Sequence, residues 1–242
     1  MQHENIEIHV SDFCNRNCAF CVSKRENRKR QMSVQTAQEL LAKLKLRMPK
    51  AVTFSGGGEP TTNNSVLSYL IDELIRGGTK CGLTTNGWQT AANTEQLSWV
   101  RLSVYSVYCA KEVANVLATN AAKHNAALFY KGIEDLRKYT FLLDKFDEVT
   151  VKTLNDSTPL TDNEVREIVG LGFKCKQNPT ANDFRECKFG KPCYDPDGHE
   201  HRCCLCKADG GFFGVDKCIV PCVMYNSNKR GELVWNRYDF AI

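Results

Sequence analysis

Strand and helix patterns alternate about six times over the first 180 or so residues, and that order constrains the fold more than any other feature of the chain. Residues 6–10 alternate apolar and polar with period two and read as a strand; 33–46 repeat at helical spacing with Ser33 as N-cap. Further strands are expected at 51–54, 81–84, 99–106, 127–130, 149–154 and 173–176. Helices are expected at 66–75, 111–121, 132–143 and 161–169, the last capped by Thr161 or Asp162. Strand then helix, repeated, is the pattern of a parallel α/β sheet. A closed eight-unit barrel takes about 250 residues. Only residues 1–180 of the 242 carry the pattern, so a partial (β/α)6 barrel fits better.

Residues 181–242 read as a small extension of another kind, rich in Gly, Pro, Asp and Cys and short of apolar runs. Such a stretch lacks the material for its own core, and metal cross-links are the usual substitute. The chain holds 13 cysteines, six up to residue 180 and seven between 187 and 222. An odd number cannot all pair within the chain, and in a reducing compartment such a count points to metal or redox chemistry. The polar start, MQHENIEIHV, and the lack of an apolar run of about eighteen residues lead us to expect a cytoplasmic protein with no membrane segment. The net charge is +4, and residues 24–30 alone account for it, leaving the rest of the chain balanced.

Two constellations carry chemistry. Cys14, Cys18 and Cys21 follow the first strand with C-x3-C-x2-C spacing. A zinc site wants four ligands, so it would need a remote fourth. Three thiolates on one loop suit a 4Fe–4S cluster with one open iron. The second strand ends in Ser55-Gly56-Gly57-Gly58-Glu59-Pro60. Glycines at a strand's C-terminal end admit a ligand to the backbone, and Glu59 adds a carboxylate suited to an ammonium group.

Together, Cys14, Cys18, Cys21, the aromatic Phe20 before the third cysteine, and Gly57-Gly58-Glu59-Pro60 resemble the radical S-adenosylmethionine (SAM) superfamily. A third glycine, Gly56, departs from that family's usual pair but leaves Glu59 assignable. The resemblance implies a partial barrel, a 4Fe–4S cluster on the three cysteines and SAM bound at its fourth iron. One electron would cleave SAM to methionine and a 5′-deoxyadenosyl radical, which abstracts hydrogen from a substrate. Glu59 would bind the methionine ammonium, beside Gly57 and Gly58. Thr85, Asn86, Ser103, Ser106, Lys131 and Lys152, all at or near strand ends, resemble the family's polar contacts to SAM. An electron donor such as flavodoxin or ferredoxin is implied as a partner.

The later cysteines are Cys187, Cys193, Cys203, Cys204, Cys206, Cys218 and Cys222. The stretch 214–223 resembles the strand-turn-strand signature of SPASM and twitch extensions, with Lys217 in place of the glycine before Cys222. That resemblance implies one auxiliary 4Fe–4S cluster, drawing on Cys187, Cys193, one of Cys203, Cys204 and Cys206, and Cys222 or Cys218. Zinc is the alternative, and His199 and His201 would support it as ligands. A cysteine left over, such as Cys218, would be a candidate hydrogen donor to a substrate radical. The expected substrate is a peptide or protein. A nucleotide or RNA base is the second reading, resting on the basic run 24–30, and a non-catalytic zinc-stapled binding module the third.

Overall fold

A computed structural model describes residues 5–18, 21, 29–47, 49–91, 95–153, 160–176 and 193–201. Phe20, Cys187, Cys203, Cys204, Cys206, Cys218, Cys222 and the side chain of His201 lie outside the described residues. Seven strands run in chain order: β1 (Asn5–Ile8), β2 (Ala51–Phe54), β3 (Lys80–Thr85), β4 (Trp99–Ser103), β5 (His124–Phe129), β6 (Glu148–Lys152) and β7 (Lys174–Lys176). Five helices lie between them: α1 (Val34–Arg47), α2 (Asn64–Arg76), α3 (Ala110–Leu117), α4 (Ile133–Arg137) and α5 (Asp162–Gly170). A hairpin of β8 (Cys193–Tyr194) and β9 (Glu200–His201) follows. The sheet order is β7-β6-β5-β4-β3-β2-β1-β8-β9, parallel throughout except for the last pair, and it is open.

The alternation of side chains across this sheet gives it a mainly apolar and a mainly polar face. Ile6, Val52, Cys81, Val100, Ala126 and Val149 belong to one face and are buried in a single core with Leu40 and Leu44 of α1, Leu67 and Leu70 of α2, Val113 of α3 and Ile168 of α5. Each large side chain so buried contributes about 1.5–3 kcal/mol. The residues between them, Glu7, Thr53, Arg101, Ser103, Asn125, Thr150 and Lys152, share the opposite face with Ala51, Trp99, Ala127 and Phe129, so that face is mainly polar. Trp99 closes that face low down. Its indole lies so near Gly82 on the neighbouring strand that a Cβ there would come within 2.0 Å of the ring.

Helix boundaries follow local hydrogen bonding. Ser33 Oγ accepts from the Thr36 amide at 3.0 Å and starts α1. Thr161 and Glu164 form a reciprocal capping box at the start of α5. The helix expected at 111–121 ends at Leu117, where the Thr119 hydroxyl donates to the Val116 carbonyl at 2.6 Å. The helix expected at 132–143 breaks after Arg137 into a 3₁₀ turn, with the Lys138 and Tyr139 amides bonded three residues back.

The described part of the extension adds to the barrel's own sheet. Cys193 and Tyr194 pair with Glu7 and Ile8 of β1, and the His9 amide donates to the Tyr194 carbonyl at 2.8 Å. Arg47 ties the hairpin to α1 through Tyr194 Oη at 2.8 Å and Glu200 at 2.7 Å. Arg30 holds its turn through Asp197 at 2.9 Å while also pairing with Asp12 at 2.7 Å.

Candidate active site

The cysteine loop leaves the C-terminal end of β1 and lies directly on the glycine loop that leaves β2. The Gly58 amide donates to the Ser11 carbonyl at 2.9 Å, and the Glu59 amide donates to the Phe13 carbonyl at 2.8 Å. A Cβ on Gly58 would sit 2.0 Å from the Phe13 carbonyl oxygen, so glycine here is a condition of the contact. Below the two loops, buried Asn63 donates to the carbonyls of Val10 at 3.0 Å and Met32 at 2.9 Å.

Glu59 is buried, with only 3% of its surface exposed, and its carboxylate faces the protein. One oxygen accepts from the Thr61 amide and hydroxyl at 3.1 and 2.8 Å and from the Thr85 hydroxyl at 2.6 Å. The other accepts from the Asn86 amide at 2.7 Å. Burial pushes its pKa up against the opposing pull of these bonds. Glu59 thus ties the glycine loop to the end of β3. Asn86 continues the chain of contacts: its side-chain amide donates to Asn15 Oδ1 at 2.8 Å and lies 3.9 Å from Cys14 Sγ. Thr85 and Asn86, expected to touch SAM, are thereby seen positioning both loops.

The three cysteines are partly exposed and close enough to influence one another. Burial pushes the Cys14 thiol up, a hydrogen bond from the Arg16 amide pulls it down, and the charges of Glu59, Cys21 and Cys18 push it up further. Deprotonating three such neighbours is costly without a cation, and iron at the sulfurs supplies one. The donor set therefore fits a cluster held by Cys14, Cys18 and Cys21.

Glu7, His9, Arg16 and Tyr105, which sequence reasoning missed, lie around the two loops. His9 Nδ1 accepts from the Gly57 amide at 3.3 Å, so the ring proton sits on Nε2, which faces Glu7 Oε1 at 3.1 Å and Cys193 Sγ at 3.5 Å. The Ser55 hydroxyl bonds the same Glu7 oxygen. Tyr105 carries the Arg16 guanidinium 5.2 Å above its ring, and Arg16 is anchored by Glu112 at 2.7 Å. Burial, then the Cys18 charge, push the Tyr105 phenol well above its ordinary range. The available signal was the period-two spacing of Glu7 with His9 and of Ser103 with Tyr105.

The remaining expected residues divide. Ser103 faces the interior and hydrogen-bonds Tyr105. Ser106 lies beyond β4 and accepts from the Tyr108 amide at 3.1 Å. Lys131 is exposed, two residues past the end of β5. Lys152 ends β6 on the interior face, and its pKa is pushed down to about 7 by burial and by the charges of Arg101 and Lys176.

The family model described as the Radical SAM superfamily matches residues 8–169. Among solved structures, SuiB from Streptococcus suis bound to S-adenosylmethionine aligns with a TM-score of 0.58 and 13% identity, over 84% of this chain and 60% of that one. SuiB bound to its precursor peptide SuiA aligns with a TM-score of 0.60 and 14% identity, over 83% of this chain and 59% of that one. QueE from Escherichia coli aligns at 0.48 and 16% identity, over 68% of this chain and 81% of that one. The chain thus spans about three fifths of the SuiB structures. No curated protein matches the sequence significantly.

Proposed function

Because the chain belongs to the Radical SAM superfamily, in which a 4Fe–4S cluster and SAM are implied, we propose that it is an enzyme that abstracts hydrogen from a peptide or protein. The observation that carries the reading is the clamp of the Cys14–Cys18–Cys21 loop on Gly58, with Glu59 and Asn86 fixing both loops to β3. When bound, the cluster supplies the electron that cleaves SAM to methionine and a 5′-deoxyadenosyl radical. The chain's own residues do the rest. Cys14, Cys18 and Cys21 would hold the cluster, and Gly58 lets the cysteine loop and the glycine loop pack in direct contact. Glu59 holds the glycine loop in place, and His9 supports it from beneath through the Gly57 amide. Tyr105 and Phe129 form an aromatic contact near the cysteine loop, with ring centroids 6.2 Å apart.

The peptide assignment is supported by the shared fold with SuiB, solved with a precursor peptide, and by the cysteine-rich extension. We assign that extension an auxiliary 4Fe–4S cluster, with zinc as the alternative. Its ligands are Cys187, Cys193, one of Cys203, Cys204 and Cys206, and Cys222 or Cys218.

The reconstituted, reduced protein should convert SAM to 5′-deoxyadenosine, and a peptide substrate should accelerate that conversion and leave with an altered mass. If peptides encoded beside the gene do nothing while RNA or a nucleotide accelerates it, the peptide assignment fails.

A further inference from the structure

The cysteine loop between Cys14 and Cys18 lies in no helix or strand, so side-chain ties must hold its shape. Two of those ties come from residues far away in the sequence. Asn15 Oδ1 accepts from the Asn86 side-chain amide at 2.8 Å, and the Arg16 guanidinium pairs with Glu112 in the first turn of α3 at 2.7 Å. The guanidinium also lies 5.2 Å from the ring centroid of Tyr105. The ion pair is half-buried, so solvent screens it only in part.

Glu112 is itself fixed in place. A Cβ on Gly87, where φ is +74°, would meet the Glu112 Cβ at 2.7 Å and its carbonyl oxygen at 2.8 Å, so α3 packs directly on the turn after β3. The Asn115 side-chain amide, further along α3, donates to the Gly87 and Trp88 carbonyls at 2.9 and 3.1 Å. Asn86, Gly87 and Glu112 therefore form one support, and loop residues Asn15 and Arg16 are both tied to it.

That support ends in a contact on sulfur. The Arg16 amide donates to Cys14 Sγ at 3.4 Å. Hydrogen bonds to the sulfurs are among the features that set the reduction potential of an iron–sulfur cluster, because an N–H dipole stabilises the more negative, reduced state. We propose that Glu112 is a positioning residue: through its ion pair with Arg16 it holds the Arg16 amide on Cys14, and so sets the reduction potential of the barrel cluster from α3. This rests on the cluster assignment at Cys14, Cys18 and Cys21 and goes beyond it.

The test uses the full chain, reconstituted without oxygen. Iron is counted, and the midpoint potential of the barrel cluster is read by electron paramagnetic resonance during a redox titration. The barrel signal is the one absent from the Cys14/Cys18/Cys21→Ala variant. Glu112→Gln and Arg16→Gln each break the pair. Each should lower the potential by about 59 mV, a tenfold loss in the one-electron reduction equilibrium. The double variant should lower it no further, because both changes act through one contact. Arg16→Lys keeps a cation for Glu112 but loses the planar fork, and should give a smaller fall of the same sign. If Glu112→Gln does not retain the barrel iron, Arg16→Lys carries the measurement. A fall for Arg16→Gln with a rise for Glu112→Gln would mean that the two charges act on the cluster directly, and would overturn the positioning role. Unchanged potentials at wild-type iron content would overturn it as well. Wild type holding no more iron than the Cys14/Cys18/Cys21→Ala variant would defeat the cluster assignment itself, and this proposal with it.

Discussion

At the scale of single residues, Glu59 and Gly58 do more structural work than their motif discloses. The motif placed a carboxylate near an ammonium group; the structure spends that carboxylate on Thr61, Thr85 and Asn86. Glu59→Gln puts an amide where donors converge, leaving a buried donor unsatisfied at a cost of about 1–3 kcal/mol. The expected outcome is a lower unfolding midpoint and weaker SAM binding with iron content retained; equal SAM affinity in the variant would refute the positioning role. Gly58→Ala has a different expected signature. Its Cβ meets the Phe13 carbonyl, so the cysteine loop must move. Iron incorporation should fall while far-UV circular dichroism stays unchanged. None of this was legible in the sequence, because a motif records which residues are present and not which atoms face one another. His9 and Tyr105 were hidden for the same reason: an isolated histidine or tyrosine in a strand is ordinary until its neighbours are known.

At the scale of elements, periodicity served well where packing agrees with it. The strand at 51–54 has the bounds expected, since all four of its residues are buried between strands on both sides. The α5 cap was readable because a capping box is local chemistry. Thr161→Ala should lower stability by about 1 kcal/mol and leave SAM cleavage unchanged, measured by denaturant unfolding beside an activity assay. The ends of α3 and the break after α4 were not readable. Both depend on hydroxyl and amide bonds of Thr119, Lys138 and Tyr139 that compete with apolar spacing. Nor did the sequence disclose the β8–β9 hairpin. Two-residue strands carry no period, and their place beside β1 is set by Arg30, Arg47 and backbone pairing.

At the scale of the whole molecule, the sheet divides an apolar face that builds the core from a polar face that builds the site. Charge on that second face has a thermodynamic consequence. With Lys152 held at about 7, the folded protein binds fewer protons there than the unfolded chain from about pH 7 up to the ordinary lysine range. This group's penalty on stability is therefore complete below about pH 7 and is relieved as the pH rises. Lys152→Met should raise the midpoint of thermal unfolding at pH 6.5 and shrink the difference from wild type at pH 9; the reverse order would contradict the assignment. Among the described residues no helix is long and apolar enough to cross a membrane.

The proposed function gives the barrel loop one 4Fe–4S cluster and the cysteine-rich extension a second. Iron and labile sulfide per chain, counted in anaerobically reconstituted wild type and in the Cys14/Cys18/Cys21→Ala variant, test it most directly. About eight irons falling to about four is the predicted result. Iron unchanged by the triple substitution would contradict the barrel site, and about four falling to none, with zinc retained, would contradict the second cluster.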